Sequence, residues 1–257
     1  MGAGLGEHLV RHDETDGSPQ GPLVLVARPR DVLRTMDRRT LTAAERRRGA
    51  ALRHPADRDC HAAAHLLVRY CAAELTGRAV GGLDVVQRCT ECGSADHGRP
   101  SVAGLPGLHV SLAHTRGAVV AGADLRPVGV DVEGLRARAV DPAVMAYALT
   151  AAEADEVRAA SDPSTAFLRH WVRKESLVKV GVAGLDRLSS LSIDPATERD
   201  LGAGRTAGRF GPLHVVDWVD GALDVVVAAA GWRPPVVRSF TLGVGAGAAA
   251  GSSKGSS

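Results

Sequence analysis

Aromatic side chains are scarce in this chain, with 3 Phe, 3 Trp and 2 Tyr among 257 residues. Any core must therefore be built from aliphatic side chains, and 45% hydrophobic residues supply enough of them. Also missing is an apolar run long enough to span a bilayer, and the opening MGAGLGEHLVRHDETDGSPQG lacks the apolar centre of a secretory signal. The expectation is a cytoplasmic protein with no membrane partner. Cysteine is sparse as well. Cys60, Cys71, Cys89 and Cys92 make no secreted disulfide framework in a chain of this length, and the first two fall within one helical pattern as small apolar fillers. Neither sign of charge is in excess, since 31 basic against 29 acidic residues leave a net charge of +2. That balance gives no whole-protein argument for a nucleic-acid partner.

The polar, Gly-rich residues 1–20 read as disordered, and residues 237–257, which include VGAGAAAGSSKGSS, read as a flexible tail or linker. The segments between divide into an N-terminal half, 21–125, and a C-terminal half, 126–236. Helical patterns cover 41–54 and 55–77 in the first half, with Thr42 and Asp57 as N-terminal caps and Gly77 as a stop. Strand patterns follow at 83–88, 108–114, 117–124 and 127–133. The second half turns helical again. Thr150 and Glu153 form a capping box, and PSTAFLRHWVRKESLVKVG is the longest helix, opened by Pro163 and closed by Gly181. Strands at 206–210, 214–220 and 223–231 come last. This order predicts an α+β fold, a pseudo-dimer of two similar α+β halves with an active-site cleft between them.

Within 127–133, the stretch GVDVE puts Asp131 and Glu133 on one strand face and Val130 and Val132 on the other. Carboxylates roughly 7 Å apart along one strand repel unless something positive lies between them. Two accounts stand at this point: an edge strand with a solvated acidic face, or a site for a hard divalent cation with oxygen ligands.

A second group lies in HWVRKESLVKVG, where Trp171, Glu175 and Lys179 are spaced four apart along one helical stripe with Phe167 and Val178 beside it. An ordinary surface Glu–Lys pair is the plain account. The aromatic neighbours argue instead for an inward face, where Glu175 needs a partner. Three acids with a lysine one turn away suit phosphoryl chemistry: a metal polarises the phosphate, Lys179 stabilises developing negative charge, and Glu175 serves as general base.

GVDVE followed some 40 residues later by WVRKESLVK resembles the paired signatures of the 4′-phosphopantetheinyl transferases, G-[IV]-D-[IV]-E and W-x-x-K-E-[AS]-x-x-K. HGRP at 97–100 is similar to the family's G-[KR]-P element, and HVSLAHT at 109–115 to its [VI]-S-[LI]-S-H-[ST] segment. The likeness covers roughly residues 22 to 232 and fits the long, surfactin-synthetase-activating (Sfp) type, a monomeric pseudo-dimer. It implies transfer of phosphopantetheine from coenzyme A to a serine of an apo acyl or peptidyl carrier protein. It also implies Mg²⁺, or Mn²⁺ in its place, held by Asp131, Glu133 and Glu175, with Glu175 also activating the serine and Lys179 stabilising the pyrophosphate. By the same resemblance His114 meets the pyrophosphate or the 3′-phosphate of coenzyme A, and Arg99 beside Pro100 meets the nucleotide. Asp131 and Lys174 join the coenzyme-binding set. Arg48 falls at a 3′-phosphate position, while Glu45 stands where the family has a lysine, leaving Arg46, Arg53 or Arg58 as substitutes. Ala113 replaces the family's usual serine, so that position keeps only its backbone for phosphate.

Cys89 and Cys92 with His97 look like half a zinc site, short of the four ligands a structural zinc needs, and the favoured account is a loop with two thiols that shapes the presentation of Arg99. Two rivals remain from other classes. A metal-dependent nuclease would use similar acids, although such enzymes often carry Glu-x-Lys on a strand. A coenzyme A or carrier-binding module would keep the fold without turnover.

Overall fold

The computed structural model describes residues 21–89, 92–94, 98–135 and 140–240. A wholly apolar run, LVLVA, forms β1 (Leu23–Ala27), buried along its length. Three helices follow: α1 (Pro29–Thr35), α2 (Ala43–Ala51) and α3 (Pro55–Thr76). Next come β2 (Val85–Arg88), β3 (Arg99–Val102), β4 (His109–Thr115) and β5 (Ala118–Asp124). The same succession then recurs. Strand β6 (Val128–Gly134) precedes α4 (Pro142–Ala148), α5 (Ala151–Ala159) and α6 (Pro163–Val180), and β7 (Arg199–Gly202), β8 (Arg205–Phe210), β9 (Leu213–Asp220) and β10 (Val225–Gly231) follow. A last strand, β11 (Val236–Ser239), returns to the first sheet.

The class is α+β. One sheet runs β11-β1-β5-β4-β3-β2 and the other β6-β10-β9-β8-β7. Leaving β11 aside, the two orders are identical: in each, the opening strand sits beside the last of the four that follow the helices. Valines and alanines of both sheets, with Trp218 among them, fill the space between their inner faces. The outer face of the first sheet carries α3, and that of the second carries α6. With so few aromatics, close sheet-to-sheet contact through Val and Ala is what the composition allows.

Local signals set several boundaries. Thr42 and Glu45 form a capping box, as do Thr150 and Glu153. Gly77 and Gly181 end α3 and α6 in the left-handed conformation. Two expectations need correction. Helix α3 starts at Pro55 with His54 as cap, so Asp57 lies inside the first turn, where its charge favours the helix dipole instead of capping it. Residues 237–239, expected in a tail, belong to β11, which pairs in parallel with β1 and satisfies its outer edge. The short β3 and β7 and helix α1 carry too little periodicity to be read from sequence.

Helix α2 is fixed to α3 by a buried ionic cluster. Both Glu45 oxygens accept from the Arg69 guanidinium, at 2.7 and 2.6 Å, and Oε1 also lies 2.8 Å from His65 Nδ1. Burial opposes the charge on Glu45, but the hydrogen bonds from His65 and Arg69 and their charges outweigh it and hold the carboxyl at about 2, below its ordinary 4.5. A folded pKa lowered in this way stabilises the protein fully above the unfolded value and loses that contribution as pH falls through the folded one. Chemical denaturation should therefore show stability falling between about pH 4.5 and 2, with Glu45→Gln flattening that part of the profile. Glu45→Ala, which strands Arg69, should cost about 3–5 kcal/mol at pH 7.

Candidate active site

The acidic face of β6 is covered by α6. Residues 129, 131 and 133 share that face, and the helix comes so close that a Cβ at Gly129 would lie 1.9 Å from the Ser176 carbonyl oxygen and 2.8 Å from the Val180 nitrogen. Only glycine permits this approach. Asp131 and Glu133 are thereby set opposite the helix stripe that carries Glu175 and Lys179. The other edge of β6 is held to the first sheet, where the Val130 N–H donates to Ser111 Oγ on β4 at 3.1 Å.

Lys179 Nζ donates to Asp131 Oδ1 at 2.6 Å. The second Asp131 oxygen is buried without a hydrogen-bond partner. Glu133 is pushed up to about 7, by burial first and then by the charge of Asp131; Glu175 adds to this and Lys179 partly offsets it. Burial and Asp131 also raise Glu175, again against Lys179. The three carboxyls thus share one electrostatic environment that one ammonium does not neutralise. Among the described residues no group of three or more His, Cys, Asp or Glu side chains is placed to hold a metal ion. An orphaned buried oxygen and a carboxyl driven toward protonation nevertheless suit a hard divalent cation.

Two cavities flank this cluster. One, of about 530 Å³, is lined by Glu133 with Thr115, Arg116, Val144, Phe167 and Leu168. The other, of about 280 Å³, is lined by Lys179, Arg88, Arg99, Pro100, Leu108 and Val128. The Arg99 guanidinium occupies the space left by the absent side chain of Gly181, 2.4 Å from where its Cβ would be. Three cationic groups therefore gather at the end of α6. His114, at the end of β4, is open to solvent at the rim. Protein packed around the ring, together with the charges of His65 and Lys179, lowers its pKa.

Not every expected residue comes to this place. Lys174 faces away from it: its ammonium is buried and donates to Glu153 (2.5 Å) and to the carbonyls of Ala148 (2.8 Å) and Leu188 (3.1 Å). All three of its protons are spent on fastening α5 to α6, so its assignment to the coenzyme-binding set does not stand. Glu45 is the buried anchor of α2. Arg46 donates to the Leu41 carbonyl and Arg58 to the Leu52 carbonyl at 2.8 Å, while Arg53 is exposed between α2 and α3. Arg48 is half-buried, near enough to His61 for its charge to act on that ring. Cys89 begins a tight loop in which its N–H donates to the Ser94 carbonyl and its carbonyl accepts from Gly93; His97 lies outside the described residues. Glu175 and Lys179 lie on a helix, unlike the strand pair of the nuclease alternative.

Sequence reading overlooked His61. It shares a helical stripe with His65 and Arg69, a spacing of four and four that could have marked a polar face on an otherwise apolar helix.

Residues 127–230 match the profile of the 4′-phosphopantetheinyl transferase superfamily. This segment begins at β6, includes all of α6 and ends in β10. The chain is also similar to a 4′-phosphopantetheinyl transferase of Bacillus subtilis, 28% identical over 131 residues that make up 50% of this chain and 54% of that protein. The family profile thus falls on the part of the chain that holds β6 and α6, and the chain spans about half the length of that relative.

The approach of α6 to β6 can be tested without any ligand. Gly129→Ala should lower stability by about 1–3 kcal/mol through overpacking, measured by thermal denaturation. Gly107→Ala, where a Cβ would meet nothing within 4 Å, should stay within about 0.5 kcal/mol of the parent.

Proposed function

We propose that this protein is a Mg²⁺-dependent transferase of the surfactin-synthetase-activating type. It moves the phosphopantetheine arm of coenzyme A onto a serine of an apo acyl or peptidyl carrier protein and releases adenosine 3′,5′-bisphosphate. The observation that carries this reading is the meeting of Asp131, Glu133, Glu175 and Lys179 where α6 crosses β6. The repeated strand order supports a pseudo-dimer within one chain, with the cleft at the seam between β4 and β6.

Asp131, Glu133 and Glu175 would hold the divalent cation, and its bound form would supply charge neutralisation at the diphosphate. Glu175, on the helix stripe one turn from Lys179, would act as the general base. It takes the serine proton, the serine oxygen attacks the β-phosphate, and the bond from that phosphorus to the oxygen bridging the diphosphate breaks. Lys179 offers its ammonium to the leaving bisphosphate. Arg99 and Pro100, which line the 280 Å³ cavity beside it, would contact the nucleotide.

Purified protein incubated with coenzyme A, Mg²⁺ and an apo carrier should add one phosphopantetheine mass to that carrier, read by intact-protein mass spectrometry. A panel of fatty-acid, polyketide and peptide-synthetase carriers that all stay unmodified, where a known transferase modifies them, would remove the reading. Glu175→Gln should fold normally and lose about 10²–10⁴ in turnover; full activity would take Glu175 out of the base role.

A further inference from the structure

Behind His114 stands a second histidine that neither the family signatures nor the acid cluster involves. His61 on α3 meets the His114 ring edge-on, with centroids 6.3 Å apart, and lies 4.4 Å from the His65 ring. Its edge abuts α2 so closely that a Cβ at Gly49 would be 3.0 Å from Cδ2. Its Nε2 sits 3.0 Å from the Glu45 carbonyl oxygen. A carbonyl only accepts, so Nε2 carries the hydrogen and Nδ1 is left bare in the neutral ring. His65, by contrast, is already bound to the Glu45 carboxylate.

The groups facing His61 are cationic or able to become so: Arg48 from α2, His65 from its own helix, and His114 from β4, which in turn feels Lys179 of α6 and Asp57 at the start of α3. The Glu45 carboxylate is committed to His65 and Arg69. Building on the proposed reaction, we propose that His61 is a further binding residue of this site. It takes a proton when coenzyme A enters and donates it from Nδ1 to the terminal phosphomonoester, with His114 and Arg48 alongside.

The free protein keeps this ring neutral. Burial, and then repulsion from His65, from His114 when protonated and from Arg48, hold it at about 4 against the hydrogen bond to the Glu45 carbonyl. A phosphomonoester of nearly two negative charges reverses that balance by offsetting the same cations, and it needs a donor where the neutral ring has none. Substrate binding therefore draws a proton from solvent, and a coenzyme without the monoester forfeits that contact.

The test compares coenzyme A with dephospho-coenzyme A by titration calorimetry in two buffers of different ionisation heat at pH 7. Wild-type protein should take up protons with coenzyme A and few with the dephospho form. His61→Gln keeps a donor for the Glu45 carbonyl; it should weaken coenzyme A about 10- to 100-fold, change dephospho-coenzyme A less than about threefold, and reduce the difference in proton uptake to what His114 supplies. His61→Lys, already charged, should recover affinity for coenzyme A with no more proton uptake than that. Unchanged binding by His61→Gln, or an equal loss with both coenzymes in both variants, overturns the assignment while leaving the transferase reading in place. Wild-type protein that binds neither coenzyme and modifies no carrier overturns the transferase reading itself, and this one with it.

Discussion

Helix α6 lies on β6 at a distance that residue 129 alone permits, and the chemistry of the site follows from that contact. Asp131 and Glu133 sit two and four residues beyond Gly129 on the same face, and Glu175 and Lys179 flank Ser176 and Val180, the residues whose backbone the glycine admits. A strand with two acids would ordinarily turn them to water. Here a helix covers them, and the cost of placing like charges under cover is met only in part by Lys179. The remaining imbalance appears as the upward shift of Glu133 and Glu175 and as the unpartnered Asp131 oxygen. Shifted acids that share one counter-charge in this way are a frequent mark of a functional site.

Ionic groups elsewhere in the molecule are treated differently. Arg173 bonds Asp217 at 2.5 Å and Glu198 at 2.7 Å, Lys174 is saturated by three acceptors, and Glu45 by Arg69, His65 and the Thr42 N–H. These clusters fasten helices to strands or to one another. In these clusters each carboxylate is bonded by a guanidinium or ammonium, even where one oxygen, such as Asp217 Oδ2, lacks a hydrogen bond, whereas the three carboxyls where α6 crosses β6 share the Lys179 ammonium.

What could be read from the sequence was what local rules encode. Capping boxes, Pro163 and Gly181 bound their helices through neighbours three or four residues away, so α2, α5 and α6 were visible, as was the acid pair on β6. Strand β11 was not: four residues, VVRS, acquire their structure only by pairing with β1 some 210 residues earlier. Lys174 was misplaced for a simpler reason. One residue along a helix is a turn of about 100°, so a lysine adjacent to Glu175 cannot share its face. Gly129 stood inside the signature and was passed over, because a strand pattern does not show what will be laid across it.

The repeated winding raises the question of why one chain would build one site. Strand β1 occupies in the first sheet the position that β6 occupies in the second, yet its sequence is LVLVA, with no carboxylate. Its free edge is taken by β11, whereas that of β6 meets β4 through Ser111. Helix α3, the counterpart of α6 as the last of its three helices, presents His61, His65 and Arg69 where α6 presents Glu175 and Lys179. The counterpart strand β1 therefore offers no acids with which to make a second centre. It can contribute cations, in Arg48, His61, Arg99 and His114, toward a ligand rich in phosphate, while the second half supplies the acids. In the proposed reaction, cations from one half and acids from the other would orient a diphosphate whose ends differ in one direction only.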